Sequence, residues 1–349
     1  MKNFSFLKIS FFLTITLFCQ LSHAINIGFN QAWFQTHYAG QYLDGYYNET
    51  EVKRIFKLTH EAGAKTLRLW FFESSNFPMV DWKGNQILGL KADYIKNVLQ
   101  TLKIARSFDV YVYMTFLDAH SYRPDKLDKA TLAKLRSIYQ ERGGAQFLEK
   151  VIKPLLKAIE EEGLTSQISR IDLSNEMDAV INRFGFDGGW KGAARMLCQW
   201  RSFIHGFHSF QNTPITFSMR LHPLVVHPLD ILSDKGPMAC ADYLDFHSYH
   251  DGGEIYRCES LKRYARENKK PLILGEFGQS YFNHRYDNRL QAKNTLQYIK
   301  SAEECGFQEA LSWRLSDIRP GHNKEARYSF EAYGQVRPAY WIIQKNNLR

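Results

Sequence analysis

Residues 48–72 read NETEVKRIFKLTHEAGAKTLRLWFF, and this stretch carries the grammar of the whole chain. Asn48 can cap a helix, with Glu51 at the reciprocal capping-box position. Val52, Ile55, Phe56 and Ala62 recur at helical spacing and form the inward stripe. Gly63 stops the helix, and the β-branched and aromatic run Thr66–Phe72 follows as a strand. Asn48-Glu49-Thr50 is also a glycosylation sequon, but the cap accounts for it more simply.

The same order of helix, glycine stop and strand returns twice more. Phe147, Leu148, Val151, Ile152, Leu155, Leu156 and Ile159 make one apolar stripe ahead of Gly163 and SRIDLSNEMD. Pro154 within that stripe predicts a kink or a late helix start. A third helix runs through Ile299 and Cys305 to Gly306, ahead of ALSWRL. In chain order the strand candidates are INIGFNQAW, TLRLWFF, VYVYMTFL, RIDLSN, PITFSM, YLDFHSY, PLILGEF and ALSWRL. Each is short and almost continuously apolar, as strands covered on both faces must be, and helical patterns separate most of them. Eight such units predict an α/β protein whose parallel strands close into a (β/α)8 TIM barrel, a single domain. No Gly-x-Gly-x-x-Gly follows the first strand, which argues against a dinucleotide-binding sheet.

Residues 1–24, MKNFSFLKISFFLTITLFCQLSHA, combine Lys2 and Lys8, an apolar run from Ile9 to Cys19, and small residues at Ser22 and Ala24. That is the pattern of a cleaved signal peptide, and it predicts a secreted protein, extracellular or periplasmic, with a catalytic domain over 25–349. The apolar run is shorter than the roughly 20 residues a membrane span needs. Once cleaved, the chain is expected to have no membrane partner. Loss of the two leader lysines takes the formal charge from +9 to +7. The remaining Lys and Arg are scattered, as in Lys150 to Lys157, so no nucleic-acid partner is implied. Cys198, Cys240, Cys258 and Cys305 would remain in an oxidising compartment. Three full pairings are possible. Cys240 and Cys258, which bracket one predicted strand, are the first candidate bridge, although a chain of this size can also keep buried thiols. No C-x-x-C or H-E-x-x-H occurs, and neither a metal nor an organic cofactor is expected.

Polar side chains gather at the ends of the predicted strands. Arg68 lies within an otherwise apolar strand; Asp118 and His120 end the third; Asn175 and Glu176 end the fourth; His247 and Tyr249 end the sixth. Glu276 ends the seventh, and Trp313 sits in the eighth. In a barrel these ends converge on one face, where active sites are built. Carboxylates at the ends of apolar strands need a reason, and paired-carboxylate cleavage of a glycosidic bond supplies one. The two ionisations oppose each other, so one acid stays protonated near neutrality and serves as the proton donor. Strands four and seven face each other across such a barrel, which allows the carboxyl separation of about 5 to 5.5 Å used by retaining enzymes.

The ordered set of LRLW with Arg68, LSNEMD with Asn175 and Glu176, DFHSYH with His247 and Tyr249, LGEFGQS with Glu276, and SWRL with Trp313 resembles glycoside hydrolase clan A. Within that clan it resembles family five, the cellulase and mannanase group. The resemblance implies a retaining β-glycoside hydrolase with Glu176 as acid/base and Glu276 as nucleophile. It further implies that Asn175 binds the sugar 2-hydroxyl and that Arg68 and Tyr249 keep Glu276 ionised and oriented. His247 would line the site beside Glu176, Trp313 would form the platform under the sugar, and His120 would match the strand-three histidine. Many members follow Asn-Glu with Pro, whereas Met177 and Asp178 follow here, so the segment after strand four is expected to be a remodelled loop. Trp33 and Trp190 are the expected further sugar platforms among aromatic residues that make up 15 % of the chain. Taken together, the sequence predicts a monomer acting on a β-linked polysaccharide or oligosaccharide, with β-1,4-glucan the first substrate and β-mannan the close alternative. Its rivals are a catalytically silent carbohydrate-binding barrel and a phosphosugar isomerase or lyase. The latter would need a Gly-rich phosphate loop late in the chain, which Gln279 and Ser280 after GEFG do not resemble.

Overall fold

The computed structural model describes residues 25–34, 37–72, 77–118, 129–184, 188–221, 239–250, 252–279, 287–317, 328–332 and 334–349. The predicted leader and His120 lie outside the described residues.

Eight parallel strands form the expected barrel: β1 (Asn26–Gln31), β2 (Thr66–Trp70), β3 (Tyr111–Asp118), β4 (Ile168–Asn175), β5, β6 (Leu244–Ser248), β7 (Leu272–Phe277) and β8 (Phe307–Ser312). Strand β5 is split into Ile215–Thr216, which pairs with β4, and Ser218–Arg220, which pairs with β6. The break falls at Phe217, and side chains bridge it. Asp172 of β4 accepts the backbone N–H groups of both Ser174 and Ser218 at 3.1 Å. β1 pairs with both β2 and β8, so the sheet runs without interruption from one half of β5 round to the other.

Helices α1 (Glu49–Glu61), α2 (Ala92–Ser107), α3 (Lys153–Glu161), α4 (Met177–Phe184), α5 (Gly189–His205), α6 (Cys258–Asn268), α7 (Asn288–Glu304) and α8 (Pro338–Asn347) accompany the strands. Asn48 caps α1 as predicted, its side-chain oxygen accepting from Thr50 and Glu51 N–H at 3.0 and 3.2 Å. Glu51 does not complete the capping box, because its carboxylate is drawn to Arg54 two contacts at a time, each 2.8 Å. Gly63, Gly163 and Gly306 each end a helix with positive φ, which accounts for all three glycine stops. Of the two outcomes expected for Pro154, the late start is the one found: the regular α-helix begins at Lys153 with the proline in its first turn. A π-helical segment, Leu148–Ile152, runs directly into α3 and places the proline near the start of the regular α-helical register.

One continuous apolar core fills the space between strands and helices, and a small cluster of Tyr113, Tyr243, Ile273 and Leu311 forms a second core. Tyr243 donates to the Ile171 carbonyl at 3.2 Å, linking this cluster to β4. The disulfides are Cys198–Cys240 and Cys258–Cys305. Cys240 therefore does not pair with Cys258. Cys198 lies on α5 beside the approach to β6, and Cys258 opens α6 beside the end of α7. Pairing follows which segments lie side by side, and spacing along the chain does not encode that. Among the described residues no helix is long and apolar enough to cross a membrane.

Candidate active site

Arg68 is the anchor of the site. It projects from β2 with no exposure to water, between Leu67 and Leu69. One guanidinium nitrogen, Nη1, donates to Glu276 Oε1 at 2.6 Å and to Asn30 Oδ1 at 3.2 Å. The other, Nη2, donates to Asp172 Oδ2 at 2.6 Å and to Asn175 Oδ1 at 2.7 Å. The guanidinium also lies 4.4 Å from the ring centre of Trp70. Burial opposes its charge, but Asp172 and Glu276 more than compensate, and its pKa is raised well above the ordinary arginine value.

Glu276 reaches this guanidinium because β7 is irregular. Phe246 aligns with Leu274 and His247 with Glu276, so Gly275 has no partner of its own on β6. The extra residue re-aims the side chain that follows it, as bulges beside functional sites do. Glycine is required there for a second reason: a Cβ would overlap the Asp245 carboxylate, which accepts the Gly275 N–H at 3.0 Å. Tyr249 donates to Glu276 Oε2 at 2.5 Å, so both oxygens of Glu276 have a donor. Burial, with Glu176 adding to it, pushes the Glu276 carboxyl up to about 8 against the opposing pull of Arg68 and Tyr249.

At the end of β4, Glu176 adopts φ +48°, left-handed backbone that a non-glycine residue avoids without cause. Its N–H donates to Ser218 Oγ at 3.0 Å, which fixes the turn against β5. Nδ1 of His247 lies 3.1 Å from Glu176 Oε1 and 3.5 Å from Glu276 Oε2, between the two acids. The donor atoms of Glu176, His247 and Glu276 are all within 4.8 Å of one another. Both Glu276 oxygens in this cluster already accept a hydrogen bond, one from a cation and one from a hydroxyl.

Asn175 Nδ2 donates to Asp118 Oδ1 at 2.8 Å while its oxygen accepts from Arg68. One Nδ2 hydrogen therefore remains for an incoming hydroxyl. Trp313 is nearly buried and meets Trp33 and Trp70 edge-on, with ring centres 5.5 and 5.3 Å apart. Its backbone N–H donates to the Phe277 carbonyl at 2.7 Å, which holds the residue beside β7. The Trp313–Arg314 peptide is cis. Trp33 is half-buried, with Arg314 over its ring, and Trp190 opens α5 half-buried against the core.

Of the residues singled out in the sequence, Arg68, Asn175, Glu176, His247, Tyr249, Glu276 and Trp313 are thus brought to one end of the barrel. The segment after Glu176 is a helix, α4, where a loop was expected. Several participants were missed. Asp172 and Asp245 are lone acids inside apolar strands, the same signal that singled out Arg68, and both are completely buried. Tyr113 donates to Asp245, whose carboxyl is pushed up to about 7 by burial. Arg220, at the end of β5, was missed because it ends a strand whose second half is only three residues long.

No protein-family profile matches the sequence, and no curated protein matches it. Solved structures do match its fold. A β-1,4-D-mannanase of Cryptopygus antarcticus superimposes with TM-score 0.65 at 13 % identity, over 93 % of this chain and 91 % of its own. A β-mannanase of the blue mussel Mytilus edulis gives TM-score 0.63 at 15 % identity, over 93 % and 92 %. A GH5_18 protein of Streptomyces cattleya, crystallised with Manβ1-4GlcNAc, gives TM-score 0.65 at 12 % identity, over 93 % and 80 %. The chain has the single-domain (β/α)8 barrel fold of these solved structures.

Proposed function

We propose that the protein is a retaining β-glycoside hydrolase of the family-five type, acting on β-1,4-linked mannan or manno-oligosaccharide. The observation that carries this reading is the carboxylate pair. Oxygens of Glu176 and Glu276 lie within 4.8 Å of each other at the mouth of a parallel barrel. Inverting enzymes need about 6.5 to 9.5 Å between their carboxyl groups to admit a water, and retaining ones about 5 to 5.5 Å.

The partners divide the roles. Both oxygens of Glu276 accept hydrogen bonds, from Arg68 at 2.6 Å and Tyr249 at 2.5 Å, and such bonds favour the charged form. Arg68 and Tyr249 thus favour Glu276 as the member of the pair that gives up its proton and attacks, against the burial that raises its carboxyl to about 8, and leave Glu176 as the proton donor. Glu276 attacks the anomeric carbon while Glu176 passes its proton to the leaving glycosidic oxygen, and the C–O bond breaks. Glu176, now ionised, takes a proton from water, which attacks the anomeric carbon and releases Glu276. Asn175 offers its remaining amide hydrogen to a sugar hydroxyl. Trp313, steadied by Trp33 and Trp70, supplies the apolar floor.

Sequence motifs alone placed β-1,4-glucan first. The mannan-acting and mannose-binding proteins among the fold's neighbours move the preference to mannan. Residues 1–24 are read as an export leader, and the two disulfides support an oxidising destination. The test is hydrolysis of β-1,4-mannan and β-1,4-glucan side by side, with the product anomer followed by NMR. Faster cleavage of mannan with retained configuration is expected. An inverted product would overturn the mechanism, and binding without cleavage of either polymer would mean a silent carbohydrate-binding barrel.

A further inference from the structure

Glu176 faces more than the other acid. Arg220 ends β5 with its Nε 3.5 Å from Glu176 Oε2. The same guanidinium is fixed by Asp178, with Nε and Nη2 each 2.8 Å from Oδ2. The Arg220 backbone N–H donates to Asp178 Oδ1 at 3.1 Å, so the acid grips both ends of the residue. Asp178 stands two positions beyond Glu176 in the first turn of α4, almost completely buried, whereas the Arg220 side chain is one quarter exposed. Sequence resemblance could not supply this arrangement. It depends on the Met177-Asp178 departure after Asn-Glu and on the split of β5.

We propose that Asp178 and Arg220 are positioning residues that act on Glu176 with opposite signs, Arg220 favouring release of its proton and Asp178 favouring its retention. The inference rests on the reading of Glu176 as the acid/base. Two charges of opposite sign, one 3.5 Å from the carboxylate and one locked behind it, make a graded control where a lone cation would simply ionise the acid. Asp178 is itself pushed up to about 6 by burial and by the neighbouring Glu176. Glu176 is also faced by His247 from β6, backed by Asp245 at 3.7 Å, and by Glu276 from β7, backed by Arg68 and Tyr249. Ser218 of β5 holds the Glu176 backbone. These groups are unchanged in the variants below, so a difference between variants reports the pair itself.

A purely structural clasp between β5 and α4 would behave differently. Breaking it from either side would loosen the same junction and shift Glu176 in the same direction, or in none. The direct test is a pH titration of the whole protein carrying 13C-carboxyl glutamate, with the Glu176 resonance identified by its absence in Glu176→Gln. Arg220→Met should raise the Glu176 midpoint by about one unit and Asp178→Asn should lower it by a comparable amount. Arg220→Lys should stay near the parent and guards against misreading a folding defect in Arg220→Met. Shifts of the same sign, or none, would overturn the proposal. In the active protein the alkaline limb of kcat/KM should move with the midpoint, because the acid must hold its proton to act. If no glycan is cleaved but the midpoints diverge as stated, the proposed hydrolase activity fails while the charge pair stands. If glycan is cleaved but the midpoints do not diverge, the reverse holds.

Discussion

Arg68 and Glu276 form a 2.6 Å ion pair in which the guanidinium is wholly shielded from water and the carboxylate nearly so. The same guanidinium sits 2.6 Å from Asp172, so one cation serves two buried acids. Burial, with Glu176 nearby, raises the Glu276 carboxyl to about 8 against the pull of Arg68 and Tyr249.

Replacement of Arg68 by Met should strand both acids. A loss of about 3 to 5 kcal/mol is expected near neutral pH, the usual consequence of removing one partner from a buried pair. Urea unfolding checks it. The loss should be larger at pH 9, where the stranded carboxyls are driven to ionise, than at pH 5, where they can be neutral, and an equal loss at both pH values would argue against unpaired charge as the cause.

Glu276→Gln keeps shape and removes the nucleophile. Turnover of β-mannan should fall by about 10³-fold or more, since residues that act as a unit lose most of their effect together. Glu176→Ala should depress polymer hydrolysis by about 10² to 10⁴-fold. It should spare the first step on aryl mannosides with good leaving groups, which need no proton. Steady-state and burst kinetics on both substrates separate the two roles. Similar losses on both substrates in Glu176→Ala would contradict the acid assignment.

Asp245 carries a stability signature. Its folded pKa of about 7 lies above the unfolded value of about 3.9, so the native state holds a proton that the unfolded chain has released. Its contribution is fully present below pH 4 and is lost as pH rises towards 7. Asp245→Asn should remove that slope, flattening the fall in unfolding free energy between pH 5 and 7 by on the order of 2 kcal/mol. Denaturant titrations at the two pH values measure it, and an unchanged slope would exclude Asp245 as the source.

Peptide mapping without reduction should recover Cys198–Cys240 and Cys258–Cys305 and no peptide joining Cys240 to Cys258. Each bridge spans more than 40 residues of sequence, so its removal by a Cys→Ser pair should cost about 2 to 4 kcal/mol. Thermal unfolding under oxidising conditions gives the comparison.

Much of the barrel was legible because its causes are local. Stripes such as Val52, Ile55 and Phe56 mark a helix, Gly63, Gly163 and Gly306 end helices at positive φ, and apolar runs such as Thr66–Trp70 can only be strands covered on both sides. Arg68, Glu176 and Glu276 stood out for the converse reason: a charge in an apolar run demands a partner. The same logic applied to Asp172 and Asp245 would have found them. The helix of Met177–Phe184, the π-helical entry to Pro154 and the Cys198–Cys240 bridge were not legible, since each depends on what packs alongside.

By itself, then, the sequence determined the number and kind of elements and the residue types at the strand ends, because periodicity, capping and turn preference act over a few residues. Only the tertiary structure decided which charges meet. The unpaired Gly275 that re-aims Glu276, the break in β5 that Asp172 spans, and the approach of Arg220 to Glu176 all arise between segments far apart in the chain. Their energies come from distances of a few ångströms in a water-poor interior, and no local pattern specifies those.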